Sequence, residues 1–318
     1  MENVSAIAIS TPKRSNKRKA TRKDIIERIM WFLFVICGFT AIGAVLLITI
    51  YMISSGAPAI AKIDVLDFLF GDTWSAKDEV FGILPMILTS IIGTLGAIII
   101  GVPIGVLTAV FISEMAPKPV RGVVKPAVEL LAGIPSVIYG LLGSILIKPV
   151  FYSLEEIIFK NDPDHKFTGG ANLLSAIVVL AIMILPTIIN ITETTLKAVP
   201  NDYREASYGL GATKIQTIFK VVIPAGKSGI ASGIVLGVGR AIGEAMAIIM
   251  VAGNAVNMPL PFNSVRFLTT GIVSEFSYSS GLHREALFGI GLVLFVFIMI
   301  INIVLNRILK SGGENNEK

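Results

Sequence analysis

Asn201-Asp-Tyr-Arg-Glu-Ala-Ser-Tyr-Gly-Leu-Gly-Ala-Thr-Lys-Ile-Gln-Thr-Ile-Phe-Lys-Val-Val-Ile-Pro224 is a polar stretch set between two long apolar runs, 173–195 and 228–252. Asp202 or Asn201 can cap a helix start, and Glu205 falls in its first turn, where the helix dipole favours an anion. Tyr203–Leu210 reads as a short helix, with Gly211 placed to end it. A second helical stretch, Thr213–Val222, comes next and stops at Pro224. Two short helices joined by a tight glycine bend form a compact knob, a shape suited to insertion into a groove on a partner.

Working outward from this knob, the chain becomes apolar in both directions. Hydrophobic residues make up 53% of 318 positions, charged residues only 15%, and the mean hydropathy is +0.78. A soluble surface usually carries about a quarter charged residues, so the chain is read as a membrane protein. A span needs roughly 20 apolar residues. Six runs qualify, near 29–53, 82–114, 124–150, 173–195, 228–252 and 285–307. Pro103, Pro135 and Pro186 fall inside runs two, three and four, and neighbouring helices can satisfy the backbone groups they free. The run Trp31–Ile53 has 23 residues, longer than a signal-peptide core of about 7–15, and is read as a retained helix. The fold expected is all-α and polytopic, with six transmembrane helices.

Charge sets the expected orientation. Eight of the 27 Lys and Arg residues lie between Lys13 and Arg28, ahead of the first run. This is a topology signal, with a nucleic-acid arm the weaker alternative. With the N-terminus inside, the interior segments hold 19 basic residues, the exterior segments hold seven, and Arg240 alone remains within a span. Both termini are therefore expected in the cytoplasm, with the 201–224 loop inside and 253–284 outside. The exterior segment 54–81 mixes Ile60, Val65, Phe68, Phe70 and Trp74 with acids, as an interfacial helix does. The single Cys37 excludes a disulfide framework.

The spacing of Glu205, Ala206, Gly211, Val221, Ile223 and Pro224 resembles the EAA loop of ATP-binding-cassette importer permeases, with Ser207 in place of the second alanine. Two further stretches, Leu131–Gly140 and Gly239–Ala247, resemble phosphate-transport permeases, and Gly281–Phe288 is similar to their C-type subunit. The resemblance implies a MetI-like five-helix importer-permease core, within 82–310, preceded by a basic tail (1–28) and by one helix with its external segment (29–81). A polar tail (311–318) would come after the core. It also implies that Glu205, Ala206, Gly211 and Pro224 couple to a separate ATPase dimer that carries ATP–Mg, with no cofactor in this chain. The other implied partners are a homologous A-type permease and an extracytoplasmic phosphate-binding protein; nucleic acid is not among them. The localisation implied is the cell (inner) membrane.

Arg240 and Glu244 stand out chemically. A charge near the bilayer centre costs about 2.5–3.5 kcal/mol on insertion scales, so two of them call for a role. Four residues apart on a continuous helix they can pair. One reading is a structural ion pair. The other is a gate at which Arg240 meets a passing phosphate, since guanidinium stays charged and offers bidentate donors to oxyanions. Gly229, Gly233 and Gly237 form the small-residue pattern of close helix packing. Gly226-Lys-Ser228 lacks the first glycine of a P-loop, because Val221 occupies that place, and no nucleotide site is recognisable. Glu114, Glu129 and Glu193 are read as interfacial or helix-pairing, and His165 and His283 as isolated in exterior loops. The rival classes are an importer of another oxyanion such as sulfate or molybdate, an ion-coupled secondary transporter, and a membrane enzyme. The last would need a cluster of catalytic residues that the sequence does not show.

Overall fold

The computed structural model describes residues 22–163 and 165–314. Most of the basic tail and residues 315–318 lie outside them. The chain divides after Tyr51 into two units. The described part of the first, from Arg22, is a single helical segment that runs on into the second as α1 (Arg22–Ile63).

The rest of the second unit continues in chain order: α2 (Val65–Phe70), a two-residue hairpin of β1 (Trp74–Ser75) and β2 (Val80–Phe81), and α3 (Leu84–Val110) with a wider π-helical turn at Phe111–Met115. Next come α4 (Lys118–Gly133), α5 (Ser136–Leu142), a π-helical turn (Gly143–Ile147) and α6 (Lys148–Ile158). Beyond these are α7 (Leu173–Ala198), α8 (Asn201–Gly209), α9 (Lys214–Thr217), another π-helical turn (Ile218–Val222) and α10 (Ile223–Ala225). The chain finishes with α11 (Lys227–Gly243), α12 (Met246–Val251), α13 (Leu268–Glu275) and α14 (Gly281–Glu314). Among the described residues five helical segments are long and apolar enough to cross a membrane, or six if the 71° bent pair 214–225 and 227–243 is one span.

α7 is the axis of the second unit. Asn172 caps it, its Oδ1 accepting from Ser175 N at 3.0 Å. Its Leu180, Met183, Ile184 and Ile188 are essentially inaccessible. Glycines let two neighbours come close: a Cβ on Gly101 of α3 would lie 2.6 Å from Ile184, and one on Gly237 of α11 would lie 2.9 Å from Ile188. The small-residue pattern at 229, 233 and 237 thus packs against α7, as its spacing predicts.

Three expectations about boundaries need correction. The third span is 136–158 rather than 124–150, because the helix breaks completely at Ile134-Pro135. Proline removes a donor and drives the preceding residue out of the helical region. The Leu131 carbonyl, which Pro135 cannot serve, accepts the Tyr139 hydroxyl at 2.7 Å and Ile134 N at 3.3 Å, so the break is satisfied locally. The single interfacial helix read over 54–81 is instead the end of α1, α2 and the hairpin, and its apolar residues divide: Phe68 and Phe81 are buried against Met86, Leu268 and the start of α14 through Ala286, Leu287 and Ile290, while Val65 and Phe70 stay exposed. At the C-terminus α14 continues through Ser311–Glu314, where a polar tail was expected.

Candidate functional site: the docking loop and the Arg240 break

The 201–224 segment folds as two short helices around a glycine bend. α8 starts behind Pro200, so neither Asn201 nor Asp202 supplies a side-chain cap. That earlier start makes Asp202 the first-turn acid and leaves Glu205 one turn further on, exposed. Gly211 has φ of 80°, the left-handed conformation that glycine adopts at least cost, and its N–H donates to Tyr208 O at 2.9 Å. Thr213 then opens α9 through a capping box: its Oγ1 accepts from Gln216 N and its own N donates to Gln216 Oε1. The hydroxyls of Ser207 and Thr217, both buried, lie 2.9 Å apart and tie α8 to α9. Pro224 does not stop the helix. It sits in the first turn of α10, where a missing N–H is tolerated, and the chain turns at Gly226 instead.

The knob anchors one side and exposes the other. Ile218 and Val222 pack with Val110, Leu196, Val199 and Ile230. Tyr203, Leu210, Ile215 and Phe219 are exposed, Leu210 at 89%. Four large apolar side chains thus stand exposed on an otherwise polar loop.

Arg240 and Glu244 do not pair. α11 ends at Gly243, and Glu244 is extended at φ −75°, ψ 132°, so the i, i+4 geometry does not exist. Two bonds that a continuous helix would lack hold this break. Glu244 Oε1 accepts from Ala247 N at 3.0 Å, capping α12, and Glu244 O accepts from Thr269 Oγ1 at 2.7 Å. Arg240, half-buried, donates from Nη1 to Thr187 Oγ1 on α7 at 3.3 Å. Among the described residues no carboxylate forms an ion pair with it. Beyond the break, α12 crosses α5 where a Cβ on Gly140 would lie 2.8 Å from Ala247 Cα. Two interrupted helices, one broken at Pro135 and one at Glu244, therefore meet close to the guanidinium's end of α11.

Residues 101–311 match the family described as binding-protein-dependent transport system inner membrane component. The chain belongs to this family. As a permease of that family it is similar to the phosphate transport system permease protein PstC of Pasteurella multocida, 38% identical over 262 residues, 78% of this chain and 82% of the relative. It is also 38% identical over 245 residues to the protein of the same name from Mesorhizobium japonicum, 74% of this chain and 75% of the relative. A crystal structure of a bacterial ABC transporter importing the acidic polysaccharide alginate has the same fold, with a TM-score of 0.54 at 17% identity over 88% of this chain and 98% of that one. These relatives are permease subunits of ABC transporters, not enzymes.

The permease also carries two buried clusters that the sequence did not announce, at the end opposite the 201–224 loop. The histidines expected to be isolated are the pointers to both. Glu155, fully buried, accepts from Thr168 N and Thr168 Oγ1 and meets His165 Nε2, each at 2.9 Å. Glu275 accepts from Trp74 Nε1 at 2.8 Å and from Arg266, and meets His283 Nε2 at 2.8 Å. Burial pushes the Glu275 carboxyl up, but the bonds from Trp74 and His283 and the Arg266 charge outweigh it, and its pKa lies below the ordinary 4.5. Each cluster staples a connecting segment to the helices. Of the acids near the loop end, Glu193 with Lys125 and Glu114 with Arg204 pair across helices, whereas Glu129 with Lys125 and Glu193 with Lys197 pair within one helix.

Proposed function

We propose that this permease is the C-type membrane subunit of an ATP-driven importer of inorganic phosphate and forms half of the translocation path. The observation that carries the reading is the 38% identity, over three-quarters of the chain, to permeases named for phosphate transport. A homologous A-type permease forms the other half, a phosphate-binding protein delivers the anion, and an ATPase dimer holds ATP–Mg. This chain holds no cofactor.

The knob of α8 to α10 inserts into the ATPase. Its exposed Tyr203, Leu210, Ile215 and Phe219 supply the apolar contact, Gly211 sets the bend, and Glu205, Ala206 and Pro224 are the further coupling residues, the first two exposed to the partner. The excess of Lys and Arg on this side favours placing the loop and both termini in the cytoplasm. Closure of the ATPase dimer then moves the spans as rigid bodies and alternates access.

Arg240 attracts the anion within the path. Among the described residues its guanidinium has no carboxylate partner and is held by a 3.3 Å bond to Thr187, which leaves donors available to an oxyanion. Glu244 acts as the brace of the adjacent break, its carboxylate occupied by Ala247 N. Arg240→Gln keeps a polar side chain but removes charge and fork. Uptake of radiolabelled phosphate should fall by at least tenfold while the complex stays assembled, and Glu244→Gln should not restore it because the two do not pair. Parental uptake by Arg240→Gln refutes this role.

A further inference from the structure

Of the nine residues of α8 only Ser207 is buried, so the helix that presents the docking face has little apolar attachment of its own. One guanidinium ties it directly to the ends of α3 and α7, beside the Ser207–Thr217 link to α9. Arg204 Nη2 and Nε donate to Glu114 Oε1 and Oε2 at 2.6 and 3.2 Å, a two-pronged contact. The same guanidinium donates from Nη1 to Val199 O at 2.7 Å and from Nη2 to Leu196 O at 2.9 Å, carbonyls at the end of α7, the second of which also accepts from Val199 N at 3.3 Å. Both charged side chains are largely withdrawn from solvent, with 15% and 11% exposed.

The far side of this contact is built with equal care. Glu114 lies in the π-helical turn that closes α3, where Ala116 N reaches back five residues to Phe111 O at 2.7 Å. One residue extra in a turn rotates the later side chains by about 100°, the angle per residue of an α-helix. Without it Glu114 would face elsewhere. Arg121 from α4 holds the neighbouring carbonyls of Ile112 and Ser113, and Ser113 Oγ donates to Glu114 Oε1 at 3.1 Å. The ends of α3 and α7 and the middle of α8 thus converge on Arg204.

We propose that the Arg204–Glu114 clamp is the positioning element that converts movement of α8 into movement of the α3–α7 pair. This rests on the docking of the 201–224 loop onto the ATPase and adds which contact carries the motion inward. A bidentate pair withdrawn from water resists shear better than an exposed one, because its energy falls off steeply with geometry and it is poorly screened. The apolar contacts of Ile218 and Val222 hold the later half of the loop, so with the clamp cut α8 is left with the Arg204 carbonyl bonds and the Ser207–Thr217 hydroxyl contact.

The test uses the complete transporter with its ATPase, reconstituted in liposomes, and reads phosphate moved per ATP hydrolysed. Glu114→Ala leaves the carbonyl bonds of Arg204 in place. It is expected to keep the ATPase subunit bound and to lower the ratio at least tenfold. Glu114→Gln, which retains an acceptor of the same reach, should fall between the two, and it decides the question by the same ratio if the alanine variant does not insert. A ratio within twofold of the parent in both variants overturns the clamp. Loss of the ATPase from the Glu114 variants also overturns it, by showing that the contact only folds the docking face. Failure of the docking reading is separately visible: Leu210→Asp would then leave the ATPase fully bound.

Discussion

Gly140→Ala probes the crossing of the two interrupted helices, where α5 meets α12. A Cβ at position 140 would sit 2.8 Å from Ala247 Cα, 2.9 Å from Ala247 O and 2.9 Å from Met250 Sδ. Met250 can move its side chain, but two of the three neighbours are backbone. Ordinary contact begins near 3.4 Å, so α5 and α12 must part by about 0.6 Å. Overpacking of this kind costs about 1–3 kcal/mol. At roughly 2–4 °C per kcal/mol for a domain of this size, the detergent-solubilised permease should melt about 2–12 °C lower. α12 also carries the Ala247 N–H that holds Glu244, so transport should fall with stability. Gly122→Ala is the control, since its Cβ meets nothing within 4 Å and alanine favours a helix interior by about 0.5–1 kcal/mol. A melting temperature equal to the parent's together with parental uptake in Gly140→Ala would show that the crossing is not tight, and the reasoning fails.

The loop and the buried glutamates supply two further outcomes. Gly211→Val forces a β-branched residue into φ of 80°, where even an unbranched L-residue is penalised by about 1–2 kcal/mol; co-purification of the ATPase should drop several-fold while membrane insertion persists, and undiminished co-purification contradicts the bend's role. Because the Glu275 pKa is lowered on folding, its stabilising contribution is complete above 4.5 and is lost as pH falls through the folded value. Thermal unfolding below pH 4.5 should therefore show a drop in stability that Glu275→Gln reduces, and an identical pH profile for the variant contradicts the assignment.

How much was legible in the sequence depends on the range of the interactions involved. The extents of α3 and α7 could be read because a lipid-length apolar run and its flanking polar residues are local signals, and the same signal found α14, which runs past its expected end. The knob was legible for the same reason: Gly211 and the Thr213–Gln216 pair act within a turn of themselves. The third span was misplaced because hydropathy alone cannot say whether Pro135 bends a helix or ends it. The Tyr139 hydroxyl that makes ending it inexpensive acts from the next helix. Arg240–Glu244 pairing presupposed a helix that the bond from Thr269, 25 residues away, helps to interrupt. Apolar residues of 54–81 read equally well against lipid or against protein; Phe68 and Phe81 are enclosed by Met86, Leu268 and α14, the last more than 200 residues on, while Val65 and Phe70 stay exposed. The glutamates of the two clusters at the end away from the 201–224 loop gave no signal, since their hydrogen-bond partners come from outside their own helices.

The central claim is ATP-driven phosphate import through a path that needs Arg240. Its most direct test is accumulation of radiolabelled phosphate by liposomes holding the permease with its partner permease, ATPase and binding protein. The account predicts uptake that requires ATP, resists competition by excess sulfate or molybdate, and is lost in Arg240→Gln. Preferential accumulation of sulfate or molybdate, or phosphate uptake driven by an ion gradient without ATP, would contradict it.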